Sequence, residues 1–81
     1  MTRGAEKDLK ALTSKIERQV EDKIRSLSEV LRAQDCKLLR GRERAFRVGS
    51  GEDRILYHID DAQLTVTVFR VGHRREVYRN L

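Results

Sequence analysis

The chain has 81 residues, 18 Lys and Arg against 13 Asp and Glu, a net charge of +5 and one cysteine, Cys36. That length predicts one small domain over residues 1–81, which buries only about 60% of its unfolded surface and is marginal without a staple or a partner. A lone Cys36 excludes an internal disulfide, and with no Cys/His grouping around it neither structural zinc nor any other metal or cofactor is expected. The thiol is read as having no chemistry, compatible with a reducing cytoplasm. Apolar stretches run only a few residues, against about 20 for a membrane helix, and no signal peptide is visible. A soluble, cytoplasmic protein without a membrane partner is expected.

Ala5, Leu9 and Leu12 fall at i, i+4, i+7 and predict a short helix. Ser14 followed by Glu17 is a capping-box pattern and places a second helix start near Ser14. Ile16, Val20, Ile24, Leu27 and Leu31 then form one apolar stripe on an otherwise charged helix. The two stripes, separated by Thr13 and Ser14, predict a helical hairpin with a common apolar face. Three strands follow. Phe46 and Val48 alternate with Arg47; Ile55, Tyr57 and Ile59 alternate with Arg54, Leu56 and His58; Leu64, Val66 and Val68 alternate with Thr65, Thr67 and Phe69. A tight Asp61-Ala62 turn would set Ile59 opposite Leu64, Tyr57 opposite Val66 and Ile55 opposite Val68. That turn lacks Asn-Gly or Asp-Gly, so a longer loop and another register stay open. The fold class is α+β, with the helical hairpin packed on the Ile/Tyr/Val face of a small antiparallel sheet. Arg47 and Arg54 are left on the open face with Arg54 beside Phe69.

Charge is uneven along the chain. Residues 1–36 hold eight Lys/Arg and seven Asp/Glu, whereas residues 37–81 hold ten against six, and nine of those ten are arginine. Arginine's planar fork suits phosphate, so an arginine-dominated half points to a polyanionic partner, with a solvated surface as the bland alternative.

Several segments resemble the RelE/ParE superfamily of toxin–antitoxin toxins, and RelE-type mRNA interferases in particular. Thr2 to Leu9 is similar to the family's lead-in to its first helix. Leu39-Arg40-Gly41 is similar to its Leu-Lys-Gly. The run from Phe46-Arg47-Val48 through Asp53-Arg54-Ile55-Leu56-Tyr57 resembles its strand arginine pair, and Val71-Gly72-His73-Arg74-Arg75-Glu76-Val77-Tyr78 its terminal signature. The resemblance implies cleavage of mRNA in the ribosomal decoding site, by attack of a 2′-hydroxyl on the adjacent phosphate. It implies Arg47, Arg54, Arg74 and Tyr78 as catalytic residues. Arg47 and Arg54 would bind phosphate and stabilise charge, Arg74 would act on the transition state or leaving group, and Tyr78 would stack on a base or move a proton. Arg40, Arg75, Arg79 and His73 are the accompanying RNA-binding candidates. A cognate RelB-type antitoxin, forming a hetero-oligomer with the toxin, is the implied protein partner.

Bland alternatives stand beside each. Arg47 and Arg54 are also what a polar strand face carries, Arg75 and Glu76 what a solvated turn carries, and Tyr57 reads as core packing. Nothing in the sequence brings His58 and His73 together as an acid–base pair. The acidic pairs Glu6/Asp8 and Glu21/Asp22 read as surface charge.

The sequence departs from the family pattern at three places. The usual N-terminal strand is missing ahead of Ala5-Glu6-Lys7-Asp8-Leu9, which predicts a three-stranded sheet with a bare edge. Either the start lies further upstream or the toxin is shortened. Gly49 stands where a second basic residue is common, and Glu52-Asp53 put negative charge before Arg54. The alternatives to an interferase are a ParE-type toxin that poisons gyrase, and a truncated toxin that binds antitoxin or RNA without cutting.

Overall fold

In the computed structural model, which describes residues 1–42 and 44–79, two helices cover one face of a four-stranded antiparallel sheet. Helix α1 spans Arg3–Lys10, with Thr2 as N-cap accepting the Ala5 N–H at 3.2 Å. Helix α2 spans Ser14–Leu27. Its start falls at Ser14 as expected, but the capping box does not form. Thr13 is the extended N-cap, its carbonyl accepts the Glu17 N–H at 2.8 Å, and no side chain caps the end. The helix also stops before Leu31. Ser26 and Ser28 donate their hydroxyls to the Lys23 and Arg25 carbonyls, occupying the last-turn acceptors locally. Leu31 still packs on the core from the segment beyond. Among the described residues no helix is long and apolar enough to cross a membrane.

The strands are β1 Lys37–Leu38, β2 Ala45–Ser50, β3 Asp53–Asp60 and β4 Thr65–His73, in that order across the sheet. Four strands replace the expected three. The added one, β1, is too short to show an alternation, and it exists because Lys37 and Leu38 pair with Arg47 and Phe46. The core lies where the apolar stripes predicted. Ala5, Leu9, Val20 and Leu27 meet Phe46, Val48, Ile55, Tyr57, Ile59, Val68 and Val71, with Leu12, Ile16 and Ile24 at the margin. Tyr57 is fully buried, and its hydroxyl donates to the Leu31 carbonyl at 3.1 Å. Burial raises its phenol pKa, with the neighbouring Cys36 thiol as the second cause.

The β3–β4 register differs from the tight-turn pairing. Ile59 faces Val66 and Tyr57 faces Val68, a slip of two residues that leaves the same faces inward. Residues 61–64 form the loop, with Asp60 Oδ1 accepting the Ala62 and Gln63 N–H groups and Leu64 at φ 53. Arg32 grips Asp61 through two bonds of 2.8 and 3.0 Å, holding that carboxyl below its usual pKa. A second irregularity follows at Phe69. Tyr57 pairs with Val68 but Leu56 pairs with Arg70, so Phe69 is an extra residue, and Ile55 faces Val71 rather than Val68. Phe69 therefore stacks on His58, centroids 4.5 Å apart, while Arg54 pairs with Gly72.

The β4 edge is not bare between Val68 and Val71. The Thr2 N–H donates to the Val68 carbonyl at 2.9 Å, and Asp8 Oδ2 accepts the Val71 N–H at 2.9 Å. Asp8 is thus a structural partner of the sheet edge, more than surface charge.

Candidate functional site

Directly opposed residues on neighbouring strands share a face, so the pairings lay out the side of the sheet away from the helices. Lys37, Arg47, Leu56 and Arg70 form one row across it, and Gly49, Arg54 and Gly72 the next. This face is partly covered, contrary to the open surface expected. The chain after β4 folds back in a turn of residues 74–79, held by the His73 carbonyl accepting the Glu76 and Val77 N–H groups at 2.8 and 2.9 Å. Val77 drops into a second small core with Leu39, Ala45 and Leu56, flanked by Phe69 and Tyr78. Leu56, expected to face outward, is fully buried there. Gly72 has no side chain under Val77, and Arg70 Nη1 donates to the Arg79 carbonyl at 2.6 Å to tie the turn down.

Burying Val77 sets its neighbour Tyr78 against Arg47. The Arg47 Nη1 lies 3.4 Å from the Tyr78 hydroxyl, and the guanidinium is 5.7 Å from the ring centroid. Arg47 is also the common wall of two clefts. One, of about 530 Å³, is lined by Leu38, Leu39, Arg40, Arg47 and Tyr78. The other, of about 410 Å³, is lined by Asp35, Lys37, Arg47, Val48, Gly49, Gly51 and Arg54. Arg54 is held in place by donating from Nη1 to the Gly51 and Asp53 carbonyls at 3.0 and 2.9 Å. Gly51 makes this turn possible at φ 61, a left-handed conformation that costs glycine little. Gly49 gives the guanidinium room, since a Cβ there would lie 3.2 Å from Nη1.

The structure therefore brings Arg47, Arg54, Tyr78 and Arg40 around adjoining clefts. Arg74 stands apart from them. Its N–H donates to the Glu52 carbonyl at 2.9 Å, and its Nε lies 2.8 Å from Glu52 Oε2. The carboxylate before Arg54 thus engages the arginine of the terminal signature. Asp53 is buried at the end of β3. His73 accepts the Arg75 N–H on Nδ1 at 3.2 Å and so helps shape the turn, while the Arg75 side chain is exposed. Arg79 lies near Glu76 at 3.9 Å, in a separate cleft with Arg70 and Asp8. His58 and His73 pair with Thr67 and Asp53, five residues apart along β3 and so about 16 Å from each other. They form no dyad.

Lys37 joins the cation set although no sequence pattern singled it out, because its place depends on the two-residue pairing of β1. Among the described residues no three His, Cys, Asp or Glu side chains cluster to hold a metal. The chemistry available at Arg47 is that of preplaced cations beside a phenol, suited to binding a phosphodiester and stabilising charge that develops on it.

Comparison with known proteins agrees with the fold. The family model for the ParE toxin of type II toxin–antitoxin systems (parDE) matches residues 1–78. Toxin RelG of Mycobacterium tuberculosis is 47% identical over 34 residues, which span 42% of this chain and 39% of that toxin. Among solved structures, the toxin–antitoxin complex RelBE2 of M. tuberculosis matches with 37% identity and a TM-score of 0.78, over 90% of this chain and 91% of the matched one. The intact RelBE complex of E. coli matches at 27% identity and a TM-score of 0.76, over 89% of both chains. The RelB–RelE complex of Methanococcus jannaschii, at 23% identity, TM-score 0.73 and 91% and 88% coverage, shares the fold.

Proposed function

The chain belongs to the ParE toxin family of type II toxin–antitoxin systems, and from that premise we propose that it is a RelE-like toxin that cleaves mRNA on the ribosome. The carrying observation is the contact of Arg47 with Tyr78, beside Arg54, at the junction of two open clefts. A gyrase poison has no need of that grouping, whereas an RNA-cleaving site does. Fold alone would leave the two toxin classes unseparated.

In the reaction, the 2′-oxygen attacks the adjacent phosphorus and loses its proton. The bond from phosphorus to the 5′-oxygen breaks, that oxygen takes up a proton, and a 2′,3′-cyclic phosphate remains. Arg47 and Arg54 bind the phosphate and offset charge building on its non-bridging oxygens. Tyr78 sits beside Arg47, placed to stack on a base or to pass a proton. Arg74 acts on the transition state or leaving group after the phosphate displaces Glu52 from it. Arg40 lines the cleft that holds Tyr78, while His73, Arg75 and Arg79, at the terminal turn and outside both clefts, meet the RNA backbone further along.

The partner that silences the toxin is a RelB-type antitoxin in a hetero-oligomer. Support comes from the three structural neighbours, each a toxin–antitoxin complex. Ribosomes and mRNA place the activity in the cytoplasm. A second function, binding antitoxin or RNA without cutting, is favoured by one observation: Glu52 already occupies Arg74.

Primer extension on a reporter mRNA in a reconstituted translation system separates these outcomes. Cuts are expected only on translating ribosomes, with Arg74→Ala reducing them by about 10²–10³. An uncut message with a folded chain, together with gyrase inhibition, would establish the ParE-type activity instead.

A further inference from the structure

We propose that the cleft walled by Lys37, Arg47 and Arg54 is a phosphodiester subsite for single-stranded RNA, with Lys37 as its anchoring cation. Lys37 holds the phosphodiester next to the one that Arg47 and Arg54 bind, and so the subsite rests on the RNA-cleaving function proposed above.

Three features of the cleft support this. First, the pairing of Lys37 with Arg47 sets the two side chains on one face of neighbouring strands, about 5 Å apart at the backbone. Arg54 closes the same cleft from the next row, its guanidinium pinned by two carbonyls. Three cations thus converge on about 410 Å³. Second, the one carboxylate in the lining, Asp35, is engaged by a cation that is not in the lining. Lys23 on α2 lies 3.3 and 3.4 Å from its two oxygens, so the field inside the cleft is left positive. Third, Arg47 separates this cleft from the one holding Tyr78. A strand crossing Arg47 enters one cleft on each side: Leu38, Leu39 and Tyr78 with Arg40 on one, Lys37 and Arg54 on the other.

Lysine contributes a point charge with no fork geometry, so its contact positions a backbone without reading a base. Each phosphate contact on a single strand contributes about 0.7 to the slope of log affinity against log salt.

The test is the salt dependence of binding to a short single-stranded 2′-O-methyl RNA, whose blocked 2′-oxygen prevents cleavage. Lys37→Gln is expected to weaken binding evenly across sequences and to shrink the slope by about 0.7. Lys37→Arg keeps the slope, and so does Lys15→Gln, which removes an equal charge from the exposed surface of α2. A wild-type slope in Lys37→Gln, an equal fall in Lys15→Gln, or wild-type protein without salt-dependent binding each overturns the subsite. Unmodified mRNA on ribosomes is assayed in parallel. Binding that depends on Lys37 without any cutting retires the cleavage function and keeps the subsite. Cutting without Lys37-dependent binding does the reverse.

Discussion

Arg47 and Tyr78 are 31 positions apart in the chain, and their contact exists because Val77 is buried beneath the turn that carries Tyr78. Arg74 is held by a different residue. Its ion pair with Glu52 is half-exposed at Arg74 and more exposed at Glu52, so it contributes about 0–1 kcal/mol and a phosphate can displace it. Glu52→Gln is accordingly expected to leave thermal stability nearly unchanged and to tighten RNA binding by up to about fivefold, measured by fluorescence anisotropy. Weaker binding in that variant would mean that Glu52 orients Arg74 for the substrate. In the core, Tyr57→Phe removes the bond to the Leu31 carbonyl and should cost about 0.5–1.5 kcal/mol in urea denaturation. The pH dependence has a definite sign. The folded-state pKa of Tyr57 is raised above its ordinary value near 10. Above about pH 10 the unfolded chain releases this proton while the folded chain keeps it, so the unfolded state binds fewer protons and stability falls as pH rises. Comparing denaturation at about pH 8 and about pH 11 should show a steeper loss in wild type than in Tyr57→Phe.

The terminal turn of residues 74–79 acts as a unit, because Val77 is its one deeply buried side chain. Val77→Ala should cost about 1–3 kcal/mol by chemical denaturation and lower cleavage as well, by loosening Tyr78 from Arg47. Lost stability with full cleavage would show that the turn packs without positioning anything. This turn also marks where the sequence stops being legible. The helices and the inner face of the sheet follow from residues with a period: Val20, Ile24 and Leu27 on one side, Ile55, Tyr57 and Ile59 on the other. Leu39, Ala45 and Val77 have no period among themselves, since they come from three separate segments, and the second core they form over Leu56 could not be seen. The register of β4 was hidden for a related reason. Alternation fixes which face Val66 and Val68 use, and a slip of two residues preserves it; the extra residue at Phe69 is a local irregularity with no sequence mark. Of the proposed site, Arg47, Arg54, Arg74 and Tyr78 were legible through motif resemblance. The Glu52 bridge and the place of Lys37 were not, because the first depends on the terminal turn meeting the turn between β2 and β3 and the second on the two-residue pairing of β1.

For the whole molecule, the uneven charge along the chain has a counterpart in space. Lys37, Arg40, Arg47 and Arg54 gather on adjoining clefts, while acidic side chains such as Asp22, Asp35, Asp61 and Glu76 are paired with nearby cations. A basic face over a small core suits both a polyanionic substrate and an acidic segment that folds on binding, so RNA and antitoxin are expected to compete for it. The central claim is that this face cuts RNA at Arg47. It is tested most directly by single-turnover cleavage of mRNA on programmed ribosomes, comparing wild type with Arg47→Ala at matched folded concentration. A loss of about 10²–10³ in rate with an unchanged unfolding midpoint is predicted. A rate within a few-fold of wild type would place the chemistry elsewhere on the molecule.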